Sequence, residues 1–307
     1  MFLFILNLII TFLLLLALIP GFKRFFLDQP NNRSSHEISK PTAGGIIFVI
    51  VICIQGYLNN FFLPLICMPL SIVGLIDDKY DLKPKFRLFA QVLTIIALIN
   101  FSLLKENWFS EVNIIFYLIA LGVIIFSSTG CINFINFMDG LDGLLTSCMI
   151  IVLSFISLFY DLQLWPYIGS LLGFLILNWG PSKIFMGDVG STFIGSLFVG
   201  LILMSDNYVD AFKILLLASP LLGDALISVI RRYFSGKSVV IPHNSFLFQR
   251  LHRGGLSHQA VTIIYSTATL AIGISFLIGN LKWMLLTIFI ELLIAIYLEK
   301  KVAIKFD

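Results

Sequence analysis

The stretch KIFMGDVGS, Lys183 to Ser191, brackets Asp188 between Gly187 and Gly190 and leads through Ser191 and Thr192 into an apolar run. A glycine turn at the start of a helix presents successive N–H groups to an anion. Lys183 would neutralise a phosphate there, and Asp188 would hold a cation that bridges phosphates. A plain polar connector between two membrane helices is the competing reading. The order G-x-x-x-x-G-K-[ST] is absent, so a Walker-type nucleotide site is excluded.

Other polar stretches carry compatible chemistry. In GLIDDKYDLKPKFRLFAQ, Gly74 to Gln91, Asp77 and Asp78 follow directly on an apolar run. Such a pair suits Mg²⁺, which takes one or two carboxylates plus substrate phosphates. Lys79, Lys83, Lys85 and Arg87 suit an anionic substrate, although a solvated charge cluster capping two helices would use the same residues. In NFINFMDGLDGL, Asn133, Asn136, Asp139 and Asp142 recur every three residues, so neighbouring pairs share a helix side. They suit a metal's water shell, a uracil edge or sugar hydroxyls, and Gly140 and Gly143 permit close approach or a break. The same residue types also cap helices.

RSSHEISKPTAGG, Arg33 to Gly45, offers Arg33, His36 and Lys40 beside a Pro–Gly turn, as would a basic loop facing anionic headgroups. PHNSFLFQRLHRGGLSH holds His243, His252 and His258 with Arg250 and Arg253 and no acid. Without companion Cys ligands, phosphate or uridine contact or orientation of a carboxylate is favoured over a transition metal. Phe246, Leu247, Phe248 and Leu251 suggest an interfacial helix in the same stretch. Asp224, inside an apolar run, is either functional or the partner of a nearby base. Glu291 lies within the last apolar run without an assigned role.

These residues must be positioned by elements that dissolve in lipid. Of 307 residues, 59% are hydrophobic and 12% charged, about half the charge that a soluble domain carries. The apolar runs are continuous, without the period-two alternation of a transmembrane barrel. They predict an all-α, polytopic transmembrane bundle of about 10–11 spans, each needing about 20 residues. The runs are 2–20, 44–58, 61–76, 88–104, 112–130, 144–160, 164–179, 192–205, 212–230, 260–279 and 282–298. No basic residue precedes the first run and no cleavage site follows, so it is read as a retained helix.

With the first residue outside and the last inside, only Lys105, Lys213 and Lys282 of the 20 Lys and Arg fall outside, as the positive-inside rule requires. The four His and Asp77, Asp78, Asp139, Asp142 and Asp188 then share the cytoplasmic face, where an active site is expected. The four Cys sit in or beside apolar runs without a C-x-x-C pair and read as buried hydrophobes. One domain, 1–307, is expected. A transporter is the alternative class, but transporters place polar sites near the midplane of repeated halves. No repeat is visible here.

Taken in order, the loops from Arg33 to His258 resemble those of the polyprenyl-phosphate N-acetylhexosamine-1-phosphate transferases, glycosyltransferase family 4. The DDxxxL motif corresponds to Asp77, Asp78 and Leu82; NxxNxxDGxDGL matches Asn133 to Leu144; P-x-K-x-F-M-G-D-x-G-S matches Pro181 to Ser191. Asp224 stands where many members carry an Asp. The D-G-x-x-A-R signature of CDP-alcohol phosphotransferases is absent.

The resemblance implies a bacterial inner-membrane enzyme that passes a sugar 1-phosphate from a UDP-sugar to polyprenyl phosphate and releases UMP. It implies Mg²⁺, with Mn²⁺ as the alternative, on Asp188 and Asp78, and catalytic roles for Asp77, Asp78 and Asp188. Substrate contacts are implied for His36, Lys85, Asn133, Asn136, Asp139 and Asp142, and for Lys183, Gly187, His243, Arg250 and His258. Besides the nucleotide sugar and the lipid, a second copy of the chain is a candidate partner; nucleic acid is not. One departure stands out: Phe246 occupies the place of the family's second histidine after His243. Either His252 or His258 compensates, or the loop reads a different nucleotide sugar. The RSSH…PT…GG and HxSxLxQRL…SH patterns look most like enzymes of O-antigen (lipopolysaccharide) or capsule initiation, which use N-acetylfucosamine or N-acetylquinovosamine.

Overall fold

The structure, a computed structural model, describes residues 1–29, 39–102, 104, 108–109, 112–160, 162–239, 243–278 and 280–306. Among them the chain forms α1 (Phe2–Phe25), α2 (Gly45–Leu58), α3 (Leu63–Tyr80), α4 (Pro84–Phe101), α5 (Ile114–Phe137), α6 (Leu144–Phe159) and α7 (Trp165–Asn178). It continues with α8 (Asp188–Leu203), α9 (Tyr208–Leu217), α10 (Ser219–Phe234), α11 (Leu247–Arg253), α12 (His258–Leu277) and α13 (Leu281–Lys301). Two short strands, β1 (Leu27–Asp28) and β2 (Lys40–Pro41), pair antiparallel with Leu27 opposite Pro41. The polytopic all-α architecture expected from the apolar runs is the one observed.

Local chemistry explains where the helices start. Proline stands in the first turn of α3, α4, α7 and α10, where its missing N–H is not needed. Asn113, Asn207, Ser257 and Asn280 cap α5, α9, α12 and α13 by accepting first-turn amides. The run at 212–230, expected as one span, is instead broken: α9 and α10 meet at 82°. Pro220 cannot donate the hydrogen bond that would carry α9 onward.

Among the described residues five helices, α1, α4, α5, α12 and α13, are long and apolar enough to cross a membrane, or six spans if the bent pair counts as one. The expected spans at 44–58, 144–160, 164–179 and 192–205 form helices of only 14 to 16 residues. α8 is the hub of the bundle, contacted by α2, α3, α4 and α5. Only Asp188 and Ile202 along it are not buried, so it is apolar on every side, as a fully enclosed helix must be. The outer helices do the reverse: α13 buries Met284 alone, and α5 exposes Ile115, Ile119 and Phe126. Side chains of that kind face lipid rather than water when the backbone bonds are all internal.

Candidate active site

The sequence around Asp188 folds as a turn followed at once by the buried hub helix. Gly187 precedes α8 with φ +74, a conformation that L side chains avoid. A Cβ there would stand 2.5 Å from Asp78 Oδ2. That contact has a purpose. Asp78, in the last turn of α3, accepts the amides of Asp188 (2.8 Å) and Val189 (3.1 Å), one on each oxygen. It caps α8 from a distant helix and meets the positive end of the helix dipole.

Asp188 is thereby fixed at the mouth of α8. Its Oδ1 accepts Asn136 Nδ2 at 3.1 Å, and the same nitrogen also reaches Ser191 Oγ at 2.9 Å. Its Oδ2 lies 3.4 Å from Arg87 Nη1, which bonds Asp77 Oδ2 more closely at 2.7 Å. Asp77 uses its other oxygen on the Leu82 amide, 2.6 Å away, and so holds the turn that starts α4. Behind Asp188 lies a small hollow of about 30 Å³ between α3, α4, α5 and α8. Its polar lining is Asp77, Arg87, Gln91, Asn133 and Asn136, and its apolar lining includes Leu70, Val73 and Phe137. Gln91 and Asn133 close it with a reciprocal amide pair, 2.9 and 3.1 Å.

In front of Asp188 lies a larger cavity of about 370 Å³. Asp78, Gly187 and Asp188 line one part of it, and Asp139, Gly140, Asp142, Gln249 and His258 another. α5 stops at Phe137, so Asp139 and Asp142 sit in a glycine turn rather than on the expected continuous helix side. Burial pushes Asp139 up to about 7, with the charges of Asp188 and Asp142 adding to the effect. Asp142 goes the other way. Burial would raise it, but His258 and the Ser182 amide and hydroxyl together hold it below the usual carboxylate range. Ser182 donates to Asp142 through N (3.0 Å) and Oγ (2.7 Å). Lys40 Nζ stands 3.5 Å from the same carboxylate and 3.0 Å from Ser182 Oγ. His258 Nδ1 lies 3.3 Å from the Asp142 amide nitrogen and 3.4 Å from Oδ2.

The structure therefore brings Asp77, Asp78, Asn133, Asn136, Asp139, Asp142, Gly187, Asp188 and His258 to the two hollows. Other expected contacts lie elsewhere. Lys183 is exposed and lines neither hollow, although its neighbour Ser182 is buried on Asp142. Lys85 is exposed at the start of α4 with its ammonium over the Phe86 ring at 5.2 Å. Arg250, expected to meet substrate, is buried and bonded to Glu299 at 2.8 Å. His243 bonds the Ser245 hydroxyl at 2.8 Å and packs on Phe246; burial, then the Arg232 charge, pulls it down to about 4. His36 falls outside the described residues. Phe246 is buried in an aromatic cluster with Phe137, His243 and Phe248; among the described residues the histidine that lines the cavity is His258. Asp224, the intramembrane carboxylate, accepts the Leu247 and Phe248 amides and the Tyr265 hydroxyl. It caps α11, as Asp78 caps α8.

The donor set fits a hard divalent cation. Its carboxylates are hard oxygen donors of the kind that hold Mg²⁺ together with substrate phosphates; among the described residues no three His, Cys, Asp or Glu converge as a dedicated cage. The like charge around Asp139 is what a cation would relieve. Asp188 and Asp139, which both line the large cavity, would hold it. Asp78, expected from sequence as a metal ligand, has both oxygens committed to α8 amides.

A transmembrane helix bundle with a carboxylate-rich cavity at a helix N-terminus is the setting that a membrane-embedded transferase of phosphate-bearing substrates requires. Residues 60–206 match the model of glycosyl transferase family 4. The chain is 30% identical to a probable undecaprenyl-phosphate N-acetylglucosaminyl 1-phosphate transferase of Bacillus subtilis, over 95% of this chain and 89% of that one. It is 28% identical to the undecaprenyl-phosphate alpha-N-acetylglucosaminyl 1-phosphate transferase of Yersinia pestis, over 86% and 81%. A phospho-N-acetylmuramoyl-pentapeptide-transferase of Streptococcus pneumoniae is 31% identical over 62% and 69%. The chain belongs to this family of polyprenyl-phosphate N-acetylhexosamine-1-phosphate transferases.

Proposed function

We propose that the protein transfers a sugar 1-phosphate from a UDP-sugar to polyprenyl phosphate, releasing UMP and forming the polyprenyl-diphospho-sugar that starts a surface or cell-wall glycan. The observation that carries this is the position of Asp188, shared between the polar cavity and the smaller, partly apolar hollow that holds Arg87. Two phosphate-bearing molecules approaching from the two sides meet there.

The nucleotide sugar takes the large cavity, with its diphosphate against the turn at Gly187 and its sugar toward Asp142, His258 and Gln249. Asp142 is kept ionised by His258 and Ser182, and its remaining lone pairs accept from sugar hydroxyls. The lipid phosphate comes from the apolar flank, where Phe86, Leu88 and Phe89 are exposed beside Arg87. Arg87 already bridges Asp77 and Asp188 and is the cation placed to steady the incoming phosphate. An oxygen of that phosphate forms a bond to the sugar-bearing phosphorus, and the bond from that phosphorus to the UMP oxygen breaks. A phosphate monoester is already largely dianionic near neutrality, its second pKa being about 6, so positioning and charge neutralisation do most of the work. Mg²⁺ bound by Asp188 and Asp139 would neutralise the diphosphate and the departing UMP. On this reading the end of the bundle with the basic loops faces the bacterial cytoplasm and the first residue lies outside, an orientation the positive-inside bias supports.

The test is UMP release by purified protein given undecaprenyl phosphate, Mg²⁺ and a panel of UDP-N-acetylhexosamines, including the 6-deoxy sugars. Release with at least one sugar is expected; silence across the panel would sink the proposal. Asp188→Asn should lower turnover about a hundredfold or more while leaving the melting temperature in detergent close to that of the parent. Retained turnover would remove Asp188 from the reaction.

A further inference from the structure

Away from both cavities, Arg231, Arg250 and Glu299 form a dense cluster of paired charge that the reaction does not use. Glu299, in the last turns of α13, accepts both Nη atoms of Arg231, with Nη2 at 3.0 Å, and Arg250 Nη2 at 2.8 Å. Arg250, only 2% exposed, also donates through Nη1 to the Ile304 carbonyl at 3.1 Å, and its own carbonyl accepts the Ile304 amide at 3.2 Å. The Phe306 ring lies beneath both guanidinium groups, 5.3 Å from that of Arg250 and 5.6 Å from that of Arg231. Gly254, just past α11, has the Val302 carbonyl oxygen where a Cβ would stand. Only glycine lets the segment 302–306 lie this close.

The helix gripped in this way is α11, seven residues long and too short to hold itself. Asp224 fixes its first turn from α10, and Arg250 fixes its last turn to the segment after α13. Between those anchors Phe248 packs over Gly140, and Gln249 lines the large cavity. Gln249 Oε1 is buried with no hydrogen-bond partner among the described residues, so its position follows where its helix sits. No residue of α11 lines the hollow of Arg87.

We infer that the segment 302–306 is a strap that positions α11, and that Phe306 and Glu299 act through Arg250 to set how tightly the large cavity grips the nucleotide-sugar donor. This rests on the transferase reading for its ligand but not for its mechanics. Phe306 and Glu299 are positioning residues; neither touches the cavity.

Two measurements on the full chain in detergent test it. Phe306→Ala should speed hydrogen exchange of the amides of 247–253 while leaving those of α8 unchanged. In steady-state UMP release it should raise the KM for the UDP-sugar about fivefold, the size expected for two lost cation–π contacts. The KM for the lipid and kcat should move less than about twofold. Phe306→Tyr, which keeps the ring, should restore both readings, and Phe306→Leu serves if the alanine variant does not fold. Unchanged exchange across α11 overturns the strap. Faster exchange with an unchanged donor KM, or with both KM values and kcat falling together, overturns its link to donor binding. If the parent releases no UMP with any sugar, the transferase reading has failed, and the exchange arm still decides the strap.

Discussion

At the scale of single residues, the carboxylates around the cavities differ by what their oxygens are bonded to. Asp78 has both on backbone amides, Asp142 has both on Ser182, and Asp188 lies between an amide side chain and a guanidinium. Asp142, depressed in the folded protein, contributes stability that is fully present above its unfolded pKa of about 3.9 and is lost as pH falls through the lower folded value. The protein should therefore melt higher than Asp142→Asn above about pH 5, and the gap should shrink steadily below about pH 4. A gap independent of pH, read by thermal unfolding in detergent, would show that the Asp142 charge is not what His258 and Ser182 hold. Motif spacing made Asp188, Asp139 and Asp142 visible in the sequence. It did not reveal that Asp78 caps a helix 110 residues away, because such a pairing exists only once α3 lies on α8. Charge sign did not show which way Lys183 faces. In an irregular loop, Ser182 points in and Lys183 points out, and composition does not carry that one-residue phase.

At the scale of elements, the site depends on α8 beginning where it does. Gly187→Ala would place a side chain at φ +74 and against Asp78 Oδ2. It should cost about 1–3 kcal/mol of stability and, by pushing Asp78 off the α8 amides, lower turnover more than stability alone explains. Denaturant unfolding beside UMP release checks this; a variant equal to the parent in both would mean the turn tolerates the shift. The helices themselves were legible from their apolar runs, because lipid allows few alternatives to a helix. Less legible was the bend between α9 and α10, where an unbroken hydropathy run hides Pro220. The role of α11 was misjudged as well. Its apolar residues suggested a helix lying on the membrane, whereas Phe248 and Leu251 are buried in the protein.

At the scale of the whole molecule, orientation is the expectation that can be checked without substrate. The four native cysteines are all buried, so engineered ones can be read against little background. In right-side-out vesicles, an impermeant maleimide should label Lys282→Cys at once and Lys183→Cys only after permeabilisation. The opposite order would put the cavities on the wrong side for a cytoplasmic nucleotide sugar. Composition and the runs of apolar residues made the bundle legible at this scale, but not the shortness of its inner helices. α6, α7 and α8 are largely enclosed by protein, and an enclosed helix need not match the bilayer as an outer one does; α2, equally short, exposes Ile50 and Ile54 on one side.

Asp188 forms part of the wall of both hollows, so its carboxylate is within reach of what binds in either. A ligand that draws the carboxylate forward weakens its hold on Arg87 behind, and an anion that takes Arg87 frees the carboxylate. The affinities of the two substrates are then thermodynamically linked, and by reciprocity each must alter the other's by the same factor. Donor and acceptor would be read by this protein as a pair.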